Sequence, residues 1–362
     1  MIDSFRLAAL AGVALVMAAC MPAAALSVSQ LSSSSSSRGS SPATPAAPER
    51  TFDAKLSGYA YPFEVKTFPV AYRGRWLAMR YMDVSPARPN GSTVVLLHGK
   101  NFVSAYWEPT MRALLDEGYR VVAPDQIGFG KSSKPADYPF IFQELARNTH
   151  ALLESIGVPR AFVVGHSMGG MLATRYALMF PAATAGLALV NPIGLEDWKT
   201  VVPYKPVGQA FADEFAQTPE KIREYMRTSY FAGAWEPSYE KLLEPIAGFT
   251  RSPDYRTVAW CSAATFEMIF TQPVVYEFPR IRVPTLLVIG QRDRTAIGKA
   301  WAPKELASSL GNYPELGRAA QRAIPGSKLV EIEEAGHLPQ VETFDVYRSA
   351  LVGFLRSVPP SP

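Results

Sequence analysis

Short continuous apolar runs, separated by polar segments of helical composition, recur along most of the chain. The runs have the β-branched and aliphatic bias of strands that are buried on both faces, and they occupy residues 93–97, 120–124, 161–164, 186–190, 283–289 and 328–332. Helices are predicted near residues 107–117, 140–156 and 344–355. This alternation predicts an α/β fold, a mostly parallel sheet with helices on both of its faces.

Two segments depart from that alternation. Residues 61–84 alternate between apolar and polar positions around Arg73-Gly74-Arg75, which predicts an antiparallel hairpin at a sheet edge. Residues 194–279 are helical in character and crowded with aromatic side chains, and they are too long for a loop between two core strands. We therefore predict a helical cap over the carboxyl ends of the strands, where open α/β sheets bind ligands. Most of its aromatic residues should form the core of the cap, and a minority should line an apolar substrate pocket.

The N-terminal residues have the composition of a targeting segment followed by a linker. Arg6 precedes an apolar run over residues 7–19, which is short for a bilayer span and suits the core of a signal peptide. Residues 27–50 are rich in Ser, Pro and Ala, a composition typical of a disordered linker. We interpret residues 1–26 as a signal peptide, so the protein is expected to be exported. It would then be periplasmic, anchored to a membrane as a lipoprotein, or secreted from the cell.

Two routes of processing are open. Ala23-Ala24-Ala25 suits cleavage by an ordinary signal peptidase, whereas Met17-Ala18-Ala19-Cys20 resembles a bacterial lipoprotein box. In the second route Cys20 becomes the lipidated first residue and attaches the protein to a membrane, although Met17 stands where such boxes usually carry Leu. With two cysteines in the chain, either route leaves Cys261 without an intramolecular disulfide partner.

The length and composition of the chain indicate its domain organisation and exclude one class of partner. The chain has 362 residues, 48% of them hydrophobic, which is enough for one large domain with an insertion. We expect a core formed by residues 51–193 and 280–362, interrupted by the cap at residues 194–279. The net charge is +4 and no dense Lys/Arg cluster occurs, so we expect no nucleic-acid partner.

The chemistry is expected to centre on Gly165-His166-Ser167-Met168-Gly169, a match to the pattern Gly-x-Ser-x-Gly. An apolar strand precedes this motif and a helix of small residues follows it, which is the context that a strained strand-to-helix turn requires. Glycine fits two positions before and after the serine because larger side chains would crowd the turn. Ser167 is therefore the candidate nucleophile.

Two further residues lie just beyond predicted strand ends. Asp293 follows the strand at 283–289, and His337, one of four histidines, follows the last strand. Because the carboxyl ends of parallel strands meet at one edge of a sheet, we expect Ser167, Asp293 and His337 to converge. The histidine would take the serine proton and return it to the leaving group, and the aspartate would orient the imidazole and stabilise the imidazolium. The chain order Ser, Asp, His matches one of the known arrangements of this triad.

With these motifs in place, residues 62–355 resemble the α/β-hydrolase superfamily, in its capped, epoxide-hydrolase/esterase-like branch. The resemblance implies a sheet of about eight mostly parallel strands, a cap inserted after the sixth strand, and no metal or organic cofactor. It also implies an oxyanion hole built from the backbone N–H groups of Lys100, in the loop after His98-Gly99, and of Met168. His98 is expected to brace that loop, and Asp125 to lie in a structural loop outside the triad. Epoxide hydrolases and haloalkane dehalogenases of the family attack with Asp, so Ser167 argues against both activities.

These observations favour a serine hydrolase that cleaves a moderately sized apolar or aromatic ester, lactone or thioester beneath the cap. Three alternatives stay open. A carbon–carbon bond hydrolase of the meta-cleavage type would use the same triad, although export argues against it. Perhydrolysis would replace water by peroxide on the acyl-enzyme. A non-catalytic envelope protein that retains the fold would be expected to have lost a member of the triad.

Overall fold

The computed structural model describes residues 50–359. Its centre is an eight-stranded sheet in the order β1-β2-β4-β3-β5-β6-β7-β8, with every pair from β3 onward parallel. The strands are β1 Val65–Tyr72, β2 Arg75–Val84, β3 Thr93–Leu97, β4 Arg120–Asp125, β5 Ala161–His166, β6 Thr184–Val190, β7 Thr285–Gly290 and β8 Lys328–Ile332. The predicted fold class, a mostly parallel sheet of eight strands, is confirmed.

The first two strands form the expected hairpin at the edge of the sheet. They pair antiparallel from Val65 opposite Met82 to Tyr72 opposite Arg75. The turn residues Arg73 and Gly74 have φ values of +46° and +73°, the left-handed pair that a tight turn between twisted strands requires. β2 continues the sheet by pairing antiparallel with β4.

Alternating side chains of the central strands supply two cores, one on each face of the sheet. Val95 and Leu97 of β3 join the larger core, whereas Val94 and Leu96 join the smaller one, and all four are fully buried. Burial on both faces explains why these strands are continuous apolar runs in the sequence.

Helices cover both faces. The larger core is closed by α2, α3 and α9, and the smaller one by α1 and α11. The helices outside the cap are α1 Glu108–Asp116, α2 Phe142–Ser155, α3 Met168–Met179, α8 Lys304–Ala307, α9 Tyr313–Ala323, α10 Pro339–Glu342 and α11 Phe344–Ser357. The sequence pattern predicts helices at the positions of α1, α2, α3 and α11. It does not predict α9, in which Tyr313, Gly317 and Ala320 are the buried residues, or the four-residue helices α8 and α10.

The cap lies between β6 and β7 and is helical, as expected. Its α-helices are α4 Val207–Phe215, α5 Pro219–Tyr225, α6 Glu240–Thr250 and α7 Tyr255–Thr271, with a π-helical turn at Met226–Tyr230 directly after α5. Many of its aromatic side chains pack against each other, for example Phe231 on Tyr239 at a ring separation of 3.9 Å. The cap is joined to the core by α7, whose C-cap residue Gln272 accepts a hydrogen bond from the Phe142 amide at 3.0 Å.

The predicted signal peptide, the candidate lipidation site at Cys20 and nearly all of the linker lie outside the described residues. Within residues 50–359, no helix combines the length and the apolar character needed to cross a bilayer. Cys261 is buried with a free thiol, and burial raises the pKa of that thiol to about 12.

Asp125, at the end of β4, organises the loop that follows that strand. Its fully buried carboxylate accepts hydrogen bonds from the Ser104 amide at 2.7 Å, the Lys131 amide at 2.8 Å and the Tyr61 hydroxyl at 2.6 Å. These contacts join the ends of β4 and β3 to the segment that precedes β1. Asp125 therefore has the contacts of a structural residue.

We predict that Asp125→Ala lowers the free energy of unfolding by about 3 kcal/mol or more, because three donors lose their buried acceptor at once. Denaturant unfolding measures this loss. The matched control is Asp137→Ala, which removes an exposed carboxylate paired with Arg73 and Arg75 and should cost about 1 kcal/mol or less. Equal, small losses for the two variants would contradict the structural role of Asp125.

Candidate active site

Ser167 lies in a strained turn between β5 and α3. Its φ and ψ are +56° and −123°, a conformation that non-glycine residues rarely adopt. The turn requires glycine on both sides of the serine. A Cβ at Gly165 would lie 2.1 Å from the Gly169 carbonyl oxygen. A Cβ at Gly169 would lie equally close, 2.1 Å, to the Leu97 carbonyl oxygen. The strain and the close approaches hold the Ser167 hydroxyl above the end of the sheet.

The structure brings Ser167, His337 and Asp293 together at the carboxyl edge of the sheet. The Ser167 Oγ lies 2.9 Å from His337 Nε2, and His337 Nδ1 lies 2.6 Å from Asp293 Oδ2. All three residues are buried. The hydroxyl can therefore donate to a neutral imidazole whose other nitrogen donates to a carboxylate, which is the arrangement that general-base activation of a serine requires.

Asn191 holds the Asp293 carboxylate and was not singled out from the sequence. Its Nδ2 donates to Asp293 Oδ2 at 2.9 Å, and its Oδ1 accepts from the Gly290 amide at 2.9 Å. The other carboxylate oxygen accepts from the Thr295 amide at 2.8 Å. Asn191 directly follows β6, at the same sheet edge as the triad residues, and this position is the one sequence signal that could have indicated it.

The backbone around His337 is fixed on several sides. The carboxylate of Glu342 accepts hydrogen bonds from the amides of Gly336 at 3.0 Å and Leu338 at 3.1 Å. The His337 amide donates to the Tyr230 carbonyl of the cap at 2.8 Å, and the His337 carbonyl accepts from His166 Nε2 at 2.9 Å. Burial raises the pKa of Glu342, although the two amides oppose that shift.

Two other buried histidines, His166 and His98, have their neutral tautomers fixed by hydrogen bonds. His166 donates from Nε2 to the His337 carbonyl and accepts from the Tyr106 hydroxyl at Nδ1, at 3.0 Å. His98 accepts the Gln126 amide at Nε2, at 3.1 Å, and donates from Nδ1 to the Gly99 carbonyl at 2.9 Å. Burial lowers the pKa of both imidazoles, most strongly for His166, whose charged form the nearby His337 also disfavours. Both rings therefore have the contacts of supporting residues.

The two amides expected to form an oxyanion hole lie beside the serine. Met168 is the first residue of α3, so its N–H is one of those that a helix leaves without an intrahelical acceptor. The loop that carries Lys100 packs closely on the nucleophile, since a Cβ at Gly99 would lie 3.0 Å from the Ser167 Cβ. In residues 50–359 neither amide has a hydrogen-bond acceptor. Both are therefore available to a developing oxyanion.

The Lys100 side chain does not point to solvent. Its ammonium donates to Glu214 Oε1 at 2.6 Å and to the Ser262 hydroxyl at 2.7 Å, and the side chain is 13% exposed. Glu214 belongs to α4 and Ser262 to α7, so this one lysine connects the loop after β3 to two helices of the cap. Its positive charge is consequently paired.

A cavity of about 840 Å³ lies above Ser167 and beneath the cap. Much of its wall is apolar, including Phe129, Ile193, Phe249, Phe266, Ile269 and Trp301. Lys134 adds a charge to the wall; it donates to the Gly130 carbonyl at 2.6 Å, and burial lowers its pKa to about 8. Within the described part of the chain, no three His, Cys, Asp or Glu side chains are grouped so that they could hold a metal ion.

We predict that the imidazoles of His98 and His166 titrate below the ordinary histidine value of about 6.5, His166 further below it than His98. Because their folded-state pKa values are lowered, the unfolded chain binds protons below about pH 6.5 that the folded chain does not, and stability falls as the pH falls through that window. Each histidine contributes at most about 1.4 kcal/mol per pH unit. The raised pKa of Glu342 acts in the opposite direction, so the direct measurement is NMR of histidines labelled with ¹⁵N. Titration of either ring near pH 6.5 would contradict the prediction.

Comparison with known proteins agrees with this architecture. The chain is 49% identical to a probable hydrolytic enzyme from Pseudomonas aeruginosa PAO1, whose crystal structure superposes with a TM-score of 0.84 over 85% of this chain and 99% of that one. It is 30% identical over 275 residues to a haloalkane dehalogenase from Mycobacterium marinum, covering 70% of this chain and 86% of the relative. It is 25% identical over 259 residues to Lipase 1 of Psychrobacter immobilis, covering 70% and 74%.

The family model that describes the alpha/beta hydrolase fold matches residues 92–344. That span runs from the start of β3 to the start of α11 and includes the serine turn, the cap and the loops that carry Asp293 and His337. The chain belongs to the alpha/beta hydrolase fold family.

Proposed function

We propose that this protein is a serine hydrolase that cleaves a carboxylic ester, or a related lactone or thioester, through an acyl-enzyme. The observation that carries the proposal is the buried relay at the base of the cavity, with 2.9 Å between Ser167 Oγ and His337 Nε2 and 2.6 Å between His337 Nδ1 and Asp293 Oδ2. Similarity to Lipase 1 of Psychrobacter immobilis also favours ester hydrolysis. Serine at the turn separates this chain from the aspartate nucleophile expected of dehalogenases and epoxide hydrolases.

The reaction begins when His337 Nε2 takes the proton of the Ser167 hydroxyl as its oxygen attacks the carbonyl carbon. Negative charge develops on the carbonyl oxygen, where the amides of Lys100 and Met168 donate hydrogen bonds and the N-terminus of α3 adds its positive dipole end. The imidazolium then protonates the leaving alcohol, and the acyl group stays on Ser167. Water, activated by the same imidazole, releases the acid and restores the serine.

Asp293 stabilises the imidazolium at both steps without taking its proton. Its two carboxylate oxygens already accept hydrogen bonds from Asn191 and the Thr295 amide. Those donors keep the carboxylate in place beside the imidazole. The resting tautomer, with the proton on Nδ1 and a free lone pair on Nε2, is the one that accepts the serine proton.

The cavity supports a moderately sized apolar or aromatic substrate. Its volume of about 840 Å³ lies within the range of small-molecule sites, and aromatic and aliphatic side chains cover much of the wall. Beneath the cap, Ser167 is 5% exposed. The ester is therefore expected to enter with its apolar acyl or alcohol group against α7, which contributes Phe266 and Ile269 to the wall.

Export also forms part of the proposal, and it rests on the sequence of residues 1–26. We predict that the mature protein begins either at a lipidated Cys20 or shortly after Ala25, because the apolar segment is followed by both kinds of processing site. The intact mass of the protein from a bacterial host that processes both signals distinguishes the two. A mass that includes Met1 to Ala19 would contradict export.

We predict that Ser167→Ala lowers kcat/KM for p-nitrophenyl esters by about 10⁴-fold or more, because the variant lacks the hydroxyl that lies 2.9 Å from His337 Nε2. The full chain is assayed against acyl groups of two to twelve carbons, and the preferred length measures the depth of the pocket. A fluorophosphonate probe should label the parent protein and not the variant.

The matched control is Ser309→Ala, a serine whose hydroxyl donates to the Leu306 carbonyl on the surface. That variant should retain full activity and labelling. A parent protein that turns over no ester or lactone and does not react with the probe would rule out the proposed function. Residual activity in Ser167→Ala equal to that of Ser309→Ala would rule out Ser167 as the nucleophile.

A further inference from the structure

The π-helical turn at Met226–Tyr230 is the part of the cap whose carbonyl groups contact the loops that carry His337 and Asp293. The Phe231 amide donates to the Met226 carbonyl at 3.1 Å, the wide spacing that defines such a turn. Because the helix ends at Tyr230, the carbonyl groups of its last residues have no donor within the helix and are open to other partners. π-Helical segments are rare and occur frequently at functional sites.

Two carbonyl groups at the end of this helix accept hydrogen bonds from the loops that carry the triad. The Tyr230 carbonyl accepts the His337 amide at 2.8 Å, and the Ser229 carbonyl accepts the Thr295 hydroxyl at 3.3 Å. Thr295 in turn binds the Asp293 carboxylate through its amide. The turn therefore contacts both the histidine loop and the aspartate loop.

The contact at the histidine loop is close enough to require glycine before His337. A Cβ at Gly336 would lie 2.3 Å from the Tyr230 carbonyl oxygen. The cap and the histidine loop thus approach to direct backbone contact. This approach leaves no room for a water molecule between them.

The Tyr230 side chain adds a second contact, with the imidazole itself. The two rings lie 4.6 Å apart at an angle of 22°, so the tyrosine stacks on one face of the histidine. The Tyr230 hydroxyl accepts a hydrogen bond from Asn101 Nδ2 at 2.8 Å, next to the Lys100 amide in the loop after β3. Tyr230 is 4% exposed, and its ring is further held by Tyr225, which packs edge-on at 5.2 Å.

We propose that Tyr230 is a positioning residue for the reaction: its ring fixes the plane of the His337 imidazole and stabilises the imidazolium that forms while Ser167 attacks. The inference rests on the proposed function. An aromatic face attracts a cation placed over it, and the attraction is absent while the imidazole is neutral. The interaction is therefore stronger in the transition state than in the resting enzyme, which is the condition for raising kcat.

The cap contains a control residue that distinguishes the proposed role of Tyr230 from a purely structural one. Tyr239 is also buried and stacks on an aromatic ring, Phe231, in the same cluster of cap residues. It does not line the cavity and it does not contact His337. Tyr239→Leu therefore removes similar packing from the cap and leaves the imidazole untouched.

The test compares the full-length variants Tyr230→Leu, Tyr230→Phe and Tyr239→Leu. We expect Tyr230→Leu to lower kcat on the preferred p-nitrophenyl ester by about tenfold or more, with a smaller change in KM. Its rate constant for inactivation by a fluorophosphonate should fall by a similar factor. Tyr230→Phe keeps the stacked ring and should stay within about threefold of the parent. Tyr239→Leu should lower the melting temperature and leave both rate constants within the same range.

Two results would overturn the proposal. One is a Tyr230→Leu variant that is no slower than Tyr239→Leu, since the ring would then act through cap packing alone. The other is a Tyr230→Phe variant as slow as Tyr230→Leu, since the stacked ring would then contribute nothing. Labelling of the parent protein separates this inference from the proposed function. If the parent protein fails to label, both the proposed function and the role of Tyr230 are contradicted. If the parent labels, but no faster than Tyr230→Leu, only the role of Tyr230 is contradicted.

Discussion

The site depends on four adjacent parallel strands ending at the same edge. β5, β6, β7 and β8 are consecutive neighbours in the sheet, and each is followed within a few residues by one residue of the site: Ser167, Asn191, Asp293 and His337. Because the strands are parallel, their carboxyl ends lie side by side, and the sheet largely determines how far apart these side chains begin. A shift of one strand by one residue would turn its side chains to the opposite face and separate the relay.

A buried carboxylate and imidazole impose a second constraint, because every polar group around them needs a partner. Asp293 is satisfied by His337, Asn191 and the Thr295 amide. The amide of His337 is satisfied from the cap, by the Tyr230 carbonyl. The cap is therefore part of the hydrogen-bond network of the site as well as its cover. A chain that lost the cap would lose this acceptor for the His337 amide.

The sequence predicted the parts of this arrangement that depend on residue type and order. The sheet follows from apolar runs, and the candidate positions 167, 293 and 337 follow from strand ends and from the few histidines available. Tyr230 could not be selected in the same way, because it is one of many aromatic residues in the cap and its carbonyl contact is independent of its side chain. Glu342 acts on backbone amides, and such contacts leave no pattern in the chain. Asn191 had only its place directly after β6 to indicate it. The pairing of Lys100 with Glu214 joins residues 114 positions apart, which only the folded chain brings together.

The relation between cap and core also bears on how one fold supports different reactions. The haloalkane dehalogenase relative shares 30% of aligned residues with this chain, and the scaffold that presents a nucleophile is common to the family. Changing the nucleophile changes the chemistry, but the histidine must still be held and its charge stabilised. In this chain the cap performs part of that task through a main-chain carbonyl, which persists whatever side chain stands at position 230. The carbonyl contact therefore tolerates substitution at position 230, and the effect on rate that we propose for Tyr230 belongs to its ring alone.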